Sequence, residues 1–404
     1  MATVIVVGAG INGVTSAIEL KNRGHKVTLI DPGPLPHPLA ASTDISKAIR
    51  AAYGPDDDYT ALADRCIPIW REWNRKFGAE LYHETGVLFV CKQPMRPGDF
   101  EYESARTLKK HGHQFEPFNS NTFHQRFPAF TPDRFHDGFF DPKAGYAESG
   151  RVVGTLIEYA KTLEVELRES AKVIGLDEGH GSVNGVVIDN SVGDAVTVPR
   201  EANGFPYKIS GDAVVIAAGA WTPYLLPGTR ESLRATGHPV FHLKPAQPEL
   251  FRPERFPFFG ADISTTGYYG FPLNQGIVKI ANHGTGREMS PDSRERVVTA
   301  NEERDLRAFL GSTIPSLADA PIVCTRICMY CDTNDGDFWI APDPKRPNLI
   351  VATGDCGHGF KFAPVLGEII ADAVEGKPNP ILKKFRWRSE VKSGVTKEAA
   401  RFEG

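Results

Sequence analysis

Several features are missing from this sequence of 404 residues, and each absence excludes a class of protein. No apolar run approaches the roughly 20 residues that a membrane-spanning helix needs, so we expect no membrane anchor. Charges of both signs are interspersed without a long block of either, and the formal net charge is -4. This pattern argues against a surface for nucleic acid or anionic lipid.

The two ends of the chain and its cysteines predict a cytoplasmic protein. The N-terminus has the pattern of a core strand, without a basic leader or a cleavage site, so we expect no secretory signal. The last residues, 401–404, are not a peroxisomal signal of the Ser-Lys-Leu type. Six cysteines in such a chain are typical of thiols in a reducing compartment.

The first 31 residues have the order of a dinucleotide-binding unit. They read as a buried strand, three glycines, a helix, a second strand and an acid: Val4–Val7, Gly8-x-Gly10-x-x-Gly13, Val14–Arg23, Lys26–Ile30 and Asp31. Because all these parts are in register, they predict more than an isolated glycine-rich turn. The pattern leaves NAD, NADP and FAD open.

Each of the three glycines, the start of the helix and the acid has a physical role in binding a dinucleotide. Gly8 allows the tight turn, Gly10 lets a pyrophosphate approach the backbone, and Gly13 lets the helix pack closely on the strand. Free N–H groups and the positive dipole end at the helix start favour the pyrophosphate. Asp31 is placed to accept hydrogen bonds from an adenosine ribose.

Segments that alternate between strand and helix patterns occur three times along the chain. Two stretches that look antiparallel separate them. The fold class we predict is α/β, a Rossmann-like cofactor domain with an inserted antiparallel-sheet α+β domain for substrate. The predicted ranges are 1–85, 145–232 and 320–385 for the cofactor domain, 86–144 and 233–319 for the substrate domain, and 386–404 for a surface tail.

Two local patterns allow alternative interpretations. Lys47 and Arg50 lie three residues apart on a predicted helical turn, which places both on one face, either as solvated charges or as an anion site. Cys324, Cys328 and Cys331 have the spacing of an iron–sulfur motif of radical enzymes, and the last two resemble a redox or zinc pair. No second ligand pair accompanies them, so we predict no metal site.

Six segments, in this order, resemble a known family. They are GAGINGVTSAIEL with Asp31, DISKAIRAAYG, VVIAAGAWTPYLLP, YYGFPLNQGIVKIANH, RICMYCDTNDGDFWI and GDCGHGFKFAPVLGEIIAD. Together they resemble the monomeric sarcosine oxidase, pipecolate or saccharopine oxidase and fructosyl amino acid oxidase group, within the D-amino-acid-oxidase-like flavoproteins. The resemblance extends to about residue 385.

The resemblance implies FAD as the cofactor, covalently held through an 8α-S-cysteinyl bond. Cys328 matches the cysteine bonded to the flavin 8α-carbon. The other residues expected to bind the cofactor are Gly8, Gly10, Ile11, Asn12, Gly13, Asp31, Ser42, Lys47, Ala218, Gly219, Trp221, Gly357, His358, Gly359, Phe360 and Lys361.

The resemblance also implies a substrate site. Lys361 and Arg50 match the two cations that grip a substrate carboxylate, and Lys279 matches the lysine beside flavin N5 that assists oxygen reduction. Three more residues match the lining of the active site: Tyr269, His283 and Tyr330. Lys47 stands where the sarcosine-type enzymes have arginine and is more similar to the saccharopine and fructosyl-amino-acid branches.

The residue types are compatible with these roles. Gly357 and Gly359, before a helix from Ala363, would bring free N–H groups near the flavin pyrimidine. Arg50 and Lys361 could form a two-cation clamp for a carboxylate. Lys279 alternates with apolar residues on a predicted strand, where a lysine is costly to bury unless its charge is used. A snorkelling lysine at a sheet edge is the alternative.

The function implied is oxidation of the C–N bond of a secondary amino acid or related amine to an imine, with oxygen reduced to hydrogen peroxide. The expected partners are a small amine and oxygen, with no nucleic acid or membrane, and the protein is expected to be a monomer. Alternatives are a fructosyl amino acid oxidase, a biosynthetic oxidase whose imine cyclises, a dehydrogenase with another electron acceptor, and a flavin-binding module without turnover.

Overall fold

The computed structural model describes residues 1–117, 120–189, 206–388 and 401. The helices of this part of the chain are α1 Ile11–Asn22, α2 Asp57–Phe77, α3 Phe100–Lys110, α4 Ser120–Arg126, α5 Ser149–Thr162, α6 Thr222–Leu225, α7 Ile263–Thr266, α8 Ala300–Thr313 and α9 Ala363–Glu375. Across the described residues, no helix is both long enough and apolar enough to cross a lipid bilayer.

The strands of the described residues are β1 Thr3–Val7, β2 Lys26–Ile30, β3 Lys47–Ile49, β4 Tyr82–His83, β5 Val87–Cys91, β6 Glu116–Pro117, β7 Asp137–Asp141, β8 Gly145–Ala147, β9 Glu166–Arg168, β10 Lys172–Gly179, β11 Ser182–Asp189, β12 Tyr207–Ser210, β13 Ala213–Ile216, β14 Leu233–Leu243, β15 Phe258–Ala261, β16 Tyr268–Gly270, β17 Val278–Asn282, β18 Arg287–Glu288, β19 Ile322–Thr333, β20 Trp339–Pro342 and β21 Leu349–Thr353. Contacts divide the chain into two compact units.

Unit 1 comprises Met1–Asp44, Ser149–Ala235 and Met329–Thr396. Its main sheet has the order β20-β21-β13-β1-β2-β9. Neighbouring strands are parallel except for β20 and β21. The central strands β1, β13 and β21 are mostly apolar and, apart from the half-buried Thr3, buried, as expected for a parallel sheet covered on both faces. A smaller antiparallel sheet, β10-β11-β12, belongs to the same unit.

Unit 2 comprises Ile45–Glu148, Thr236–Cys328 and Lys397–Gly404. Its large sheet has the order β18-β14-β17-β16-β15-β5-β7-β6, and β19 pairs with β14. The core is rich in phenylalanine, whose rings contact one another edge to face, as Phe130 and Phe259 do at 5.1 Å between centroids. Together with the parallel sheet of unit 1, this sheet confirms the predicted α/β fold class with a second, mostly antiparallel part.

The units differ from the predicted domain ranges chiefly at residues 45–85, which the contacts assign to unit 2; shorter differences lie at 145–148, 233–235 and 320–328. The physical reason is a small sheet in which β8 pairs with both β3 and β4 and so ties residues 45–85 to unit 2. The predicted surface tail, 386–404, also contains buried arginines among its described residues. The Arg388 side chain is 8% exposed beside Asp335, and Arg401 is 3% exposed.

The predicted helical turn at Lys47 and Arg50 is wrong. Lys47–Ile49 form strand β3, which pairs antiparallel with β8, so pairing between distant segments overrides the local helical pattern. Residues three apart on an extended chain point to opposite faces of a sheet. The two cations therefore do not share the helix face that the spacing suggested.

A buried histidine in unit 2 joins α2 to β7. The His113 ring contacts Asp64 through Nε2 at 2.7 Å and Asp141 through Nδ1 at 3.2 Å. Burial alone lowers the pKa of His113, but the hydrogen bonds to Asp141 and Asp64 raise it to about 9. The ring is therefore a protonated link between two carboxylates at neutral pH.

Candidate active site

The predicted site residues fall into two sets, one in each unit. In unit 1, β1 ends at Val7 and α1 begins at Ile11, so Gly8 and Gly10 occupy the turn between them and Gly13 lies in the first turn of α1. Gly8 has φ +100, and a Cβ atom there would lie 2.6 Å from the Ala217 carbonyl oxygen. At Gly13 an added Cβ would lie 1.7 Å from the Gly8 carbonyl oxygen. Both positions therefore require glycine.

The start of α1 has the properties of an anion site. No acidic residue occupies its first turn, and the helix cap Gly10 contributes no side chain. The Ile11 N–H donates to the Ser42 hydroxyl at 3.2 Å, and the Asn12 amide donates to the Ala352 carbonyl at 3.4 Å. The buried Oδ1 of Asn12 has no hydrogen-bond partner among the described residues.

Asp31 follows β2 and faces the same turn. Its carboxylate accepts hydrogen bonds from the Ala9 N–H at 2.8 Å and from the Gly33 N–H at 3.0 Å. Burial raises the pKa of Asp31, although both N–H groups oppose this effect. Because each carboxylate oxygen can accept more than one hydrogen bond, the side chain retains capacity for ribose hydroxyls.

The segment after β13 also lies beside the turn between β1 and α1. Ala218 caps a short 3₁₀ turn, Gly219–Trp221, which places it beside the Ala217 carbonyl that Gly8 approaches. The Gly219 carbonyl accepts a hydrogen bond from the Thr353 hydroxyl at 3.3 Å. The Trp221 ring lies 5.9 Å from the His37 ring between centroids.

A tight loop precedes α9 in unit 1. Gly357 has φ +76, and an added Cβ would lie 2.2 Å from the Tyr330 ring, while one at Gly359 would lie 2.5 Å from the Asp355 side chain. The Lys361 ammonium donates to the His358 carbonyl at 2.6 Å, and Lys361 is only 3% exposed. The structure therefore brings Tyr330 and the loop that includes Gly357, His358, Gly359, Phe360 and Lys361 together.

In unit 2, Lys279 is fully buried on β17. Its ammonium donates to the Ser46 carbonyl at 2.6 Å and lies 4.7 Å from the centre of the Phe271 ring. A carbonyl oxygen and an aromatic face both stabilise a cation without neutralising it. The alternative of a snorkelling lysine is therefore wrong.

Lys47 and Cys328 meet although they are far apart in sequence. The Lys47 ammonium lies 3.4 Å from the Cys328 sulfur, and Cys328 is 2% exposed within β19. The Lys47 ammonium is a charged hydrogen-bond donor, so this contact fixes the position of the Cys328 sulfur.

The strand geometry also separates the cysteines. Cys328 and Cys331 are three apart on β19 and therefore point to opposite faces of the strand. All six cysteines lie among the described residues, and none of them forms a disulfide bond. Within the described residues, no group of three or more His, Cys, Asp or Glu side chains is arranged to hold a metal ion.

Tyr269 and His283 lie together in unit 2, next to a histidine that the sequence did not indicate. The Tyr269 and His283 ring centroids are 6.4 Å apart, and the ring of buried His238 lies 6.5 Å from that of His283. Arg401 Nη2 lies 2.9 Å from His238 Nε2. Because a guanidinium can only donate hydrogen bonds, Nε2 of His238 must be the unprotonated ring nitrogen that accepts one. Burial, followed by the charge of Arg401, lowers the pKa of His238, so this ring is neutral.

Arg50 is buried in unit 2. Its guanidinium donates to the Ala52 carbonyl and lies 4.7 Å from the centre of the Tyr53 ring and 5.7 Å from that of Phe100. Lys361 belongs to unit 1, so the two-cation clamp stays a prediction. Each of the two cations is separately buried, as a carboxylate-binding residue would be.

Comparison with known proteins identifies the family. The family model described as "DAO: FAD dependent oxidoreductase" matches residues 3–373. The chain belongs to this family. The predicted kinship with D-amino-acid-oxidase-like flavoproteins is thereby confirmed, and FAD is the cofactor of this oxidoreductase.

Relatives of this DAO-family oxidoreductase align along nearly its whole length. It is 28% identical to monomeric sarcosine oxidase of Bacillus sp. (strain B-0618), over 93% of this chain and 92% of that protein. It is also 28% identical to peroxisomal sarcosine oxidase of Mus musculus, covering 95% and 94%. Identity to N-methyl-L-tryptophan oxidase of Yersinia pestis (strain Pestoides F) is 26%, covering 93% and 96%.

Solved structures agree in fold. Fructosamine oxidase from Aspergillus fumigatus (Amadoriase II), in complex with FSA, has a TM-score of 0.83 at 24% identity and covers 100% of this chain and 94% of that one. Fructosyl peptide oxidase from E. terrenum has a TM-score of 0.82 at 20% identity, covering 100% and 95%. At these identities the likeness shows the fold alone.

The residues of unit 1 fit an FAD in this DAO-family oxidoreductase. The turn at Gly8 and the first turn of α1 at Gly13 are closed to side chains, and the start of α1 is free of acids. The unpartnered Asn12 Oδ1 is an acceptor that a bound group could satisfy. Asp31 retains acceptor capacity for a ribose. These residues would hold the ADP portion of the cofactor.

Sequence reasoning missed four residues of unit 2: Ser46, His238, Arg296 and Arg401. Ser46 contributes its carbonyl to Lys279, and no residue type is required for that contact. Arg296 donates to the carbonyl of Ile327, the residue before Cys328. Arg401 lies in a charged segment that resembles solvated surface. No pattern of residue spacing in the sequence predicts any of these contacts.

Proposed function

We propose that this DAO-family enzyme oxidises the C–N bond of a secondary, N-substituted amino acid or related amine to an imine, with oxygen reduced to hydrogen peroxide. The observation that carries the proposal is Lys279, a fully buried ammonium beside the Ser46 carbonyl. A fixed positive charge in a dry site stabilises the negative charge that develops when oxygen is reduced. The near full-length match to sarcosine and N-methyl-L-tryptophan oxidases supports the amine substrate.

The residues of the chain would bind and orient the amine. FAD supplies the two-electron acceptor for the amine and passes the electrons to oxygen. Arg50 and Lys361 would grip the substrate carboxylate, because cations that are already buried and held by carbonyls lose little entropy on binding it. Tyr269, His283 and Tyr330 would line the space around the amine. His238 beside His283 is kept neutral by burial and by the charge of Arg401 next to it.

Covalent attachment of the flavin at Cys328 is part of the proposal. Cys328 would hold the flavin through a bond from its sulfur to the 8α-carbon, with one proton lost from the thiol and one from that carbon. The flavin would supply the two-electron acceptor for this bond, and oxygen would take up the two electrons as hydrogen peroxide. The contact between Lys47 and the Cys328 sulfur supports this step, because a charged donor would hold the sulfur in place for bond formation.

A fructosyl amino acid oxidase is the second candidate. Lys47 favours it, since lysine at this place is more similar to the fructosyl-amino-acid and saccharopine branches than to the sarcosine type. A biosynthetic oxidase whose imine cyclises would use the same residues. The relatives include one named monomeric sarcosine oxidase, which supports a monomer. The cytoplasmic location stays a prediction.

An anaerobic screen tests the proposal. The purified holoenzyme is mixed without oxygen with N-methyl, cyclic and sugar-modified amino acids, and loss of flavin absorbance near 450 nm reports reduction by substrate. We expect bleaching by at least one secondary amine and, on admission of air, one hydrogen peroxide per flavin reoxidised. Bleaching without peroxide would indicate a dehydrogenase, and no bleaching by any amine would indicate a flavin-binding module; either result overturns the proposal.

A further inference from the structure

The loop between β17 and β18, residues 283–286, carries His283 and two glycines; we call it the His283 loop. Its first residue is tied to the residue before β16, because the His283 N–H donates to the Gly267 carbonyl at 2.6 Å. The Gly284 N–H donates to the Asn282 side chain at 2.8 Å. Glycine gives the backbone more conformational freedom than any other residue, so the rest of this loop needs partners from elsewhere to keep one conformation.

Arg401 provides such partners from more than 100 residues away. Its Nε donates to the Gly284 carbonyl at 2.7 Å, and its Nη2 donates to the Thr285 carbonyl at 3.1 Å. Arg401 is 3% exposed, and hydrogen bonds from a charged donor are stronger than those between neutral groups. The planar fork of the guanidinium therefore fixes two consecutive carbonyls on the C-terminal side of His283.

The same guanidinium also connects the His283 loop to β14. Arg401 Nη2 lies 2.9 Å from His238 Nε2 and 3.4 Å from the Thr236 hydroxyl oxygen. Gly286 has φ +72, and a Cβ atom there would lie 2.5 Å from the same Nε2 atom of His238. The end of the loop, the buried His238 and Arg401 thus meet at one point that leaves no room for a side chain at residue 286.

We propose that Arg401 is a positioning residue for substrate binding, which holds the Gly284 and Thr285 carbonyls and so fixes the His283 ring beside Tyr269. This inference rests on the proposed function, in which His283 and Tyr269 line the space around the amine. The two rings meet edge to face, with 6.4 Å between centroids and 89° between planes. A shift of the backbone at Gly284 would move the ring of the preceding residue out of this arrangement.

Two substitutions and one control separate the parts of this contact. Arg401→Ala removes both hydrogen bonds to the loop, whereas Arg401→Lys keeps the charge and loses the planar fork. Arg307→Ala is the matched control, because Arg307 also donates to two carbonyls of unit 2, those of Ala318 and Ala320 at 2.9 and 2.8 Å.

Hydrogen exchange tests the anchoring without any substrate. The purified holoenzymes are incubated in deuterium oxide, and mass spectrometry follows the peptides that cover residues 283–288 and strand β1. We expect the loop peptide of Arg401→Ala to exchange about tenfold faster, as local opening no longer breaks hydrogen bonds to a charged group. The β1 peptide should exchange at the parental rate, and Arg307→Ala should match the parent in the loop.

Anaerobic stopped-flow reduction tests the effect on substrate binding. Each variant is mixed with the N-methyl, cyclic and sugar-modified amino acids of the screen above, and the apparent Kd and the limiting rate of flavin reduction are measured. We expect Arg401→Ala to raise the apparent Kd about tenfold with a smaller change in the limiting rate, because the site is misplaced before the chemical step. Arg401→Lys should lie between this variant and the parent, and added methylguanidinium should restore part of the affinity of Arg401→Ala.

A merely structural role would lower the amount of flavin that is bleached and leave the apparent Kd of the remaining enzyme unchanged. The inference is overturned if loop exchange in Arg401→Ala stays at the parental rate or rises equally in the β1 peptide, and also if the apparent Kd stays at the parental value. Arg401→Lys is judged by the same criteria where Arg401→Ala yields no folded holoenzyme. A parent that no amine reduces overturns the proposed function instead, while hydrogen exchange still decides whether Arg401 anchors the loop.

Discussion

The turn after β1 and the buried cations of unit 2 are built in opposite ways. The turn uses backbone groups of residues that are neighbours in sequence, and its glycines exclude side chains altogether. The cations are side chains drawn from distant segments, and Lys279 and Lys47 each meet partners that are more than 200 residues away. The first arrangement is encoded locally and the second by tertiary folding. Substitutions in the two regions should therefore fail in different ways.

The largest effect is expected at Gly13, in the first turn of α1 beside the glycine turn. Gly13→Ala places a Cβ atom where the Gly8 carbonyl oxygen lies within 1.7 Å, so β1 and α1 must separate. We expect a loss of more than about 4 kcal/mol in the free energy of unfolding, together with loss of most of the flavin. Thermal melting and the ratio of absorbance at 450 and 280 nm measure both.

Gly154→Ala is the control for that change, because a Cβ at Gly154 in α5 meets no atom within 4 Å. Alanine is the better helix former, so this variant should be more stable by about 0.5–1 kcal/mol. If Gly13→Ala retained parental flavin content and melting temperature, the turn would not be the rigid backbone site described above.

A smaller effect, on chemistry alone, is expected at Lys279. Lys279→Met keeps the volume and removes the charge beside the Ser46 carbonyl. Flavin content should stay at the parental level, while reaction of the substrate-reduced enzyme with oxygen should slow about 100-fold, as when one charge-stabilising donor is removed. Stopped-flow reoxidation measures this rate, with the exposed Lys143→Met as control. Equal reoxidation rates in Lys279→Met and Lys143→Met would show that Lys279 has no role in oxygen reduction.

The smallest effect concerns a buried charge of unit 2 that serves stability. The pKa of His113 is about 9 in the folded chain against an ordinary value of 6.5. Its stabilisation is therefore complete below about pH 6.5 and is lost as pH rises through about 9. We expect His113→Gln to lower the free energy of unfolding by on the order of 2 kcal/mol at pH 6 and by much less at pH 10.

Urea unfolding at the two pH values, followed by tryptophan fluorescence, measures the difference for His113→Gln. The exposed His136→Gln serves as the control and should show little change at either pH. A loss of stability in His113→Gln that is equal at pH 6 and pH 10 would mean that packing, and not the charge between Asp64 and Asp141, accounts for it.

The sequence predicted the parts of the fold that depend on neighbouring residues. Strand β2 occupies Lys26–Ile30 as predicted, and Asp31 contacts the glycine turn. The resemblance likewise led to the correct family, because its motifs are short and contiguous. In both cases, residue type and spacing carry the information.

Other features depend on partners that spacing does not reveal. Lys47 looked helical by local pattern, but pairing of β3 with β8 made it extended. Arg401 lies in a charged segment, yet its guanidinium is buried against the Gly284 carbonyl at 2.7 Å, next to His283. Contacts of this kind depend on long-range folding, where the type of one residue says little about its partner.

The hydrogen bonds that Asp31 accepts affect how the free energy of FAD binding is divided between enthalpy and entropy. Its carboxylate holds the N–H groups of Ala9 and Gly33 and so orders the glycine turn and the following loop in the chain without cofactor. The conformational entropy of these loops is thus lost when the chain folds and not when FAD arrives. More of the contact energy with the nucleotide then appears as affinity, which is the advantage of a preorganised site.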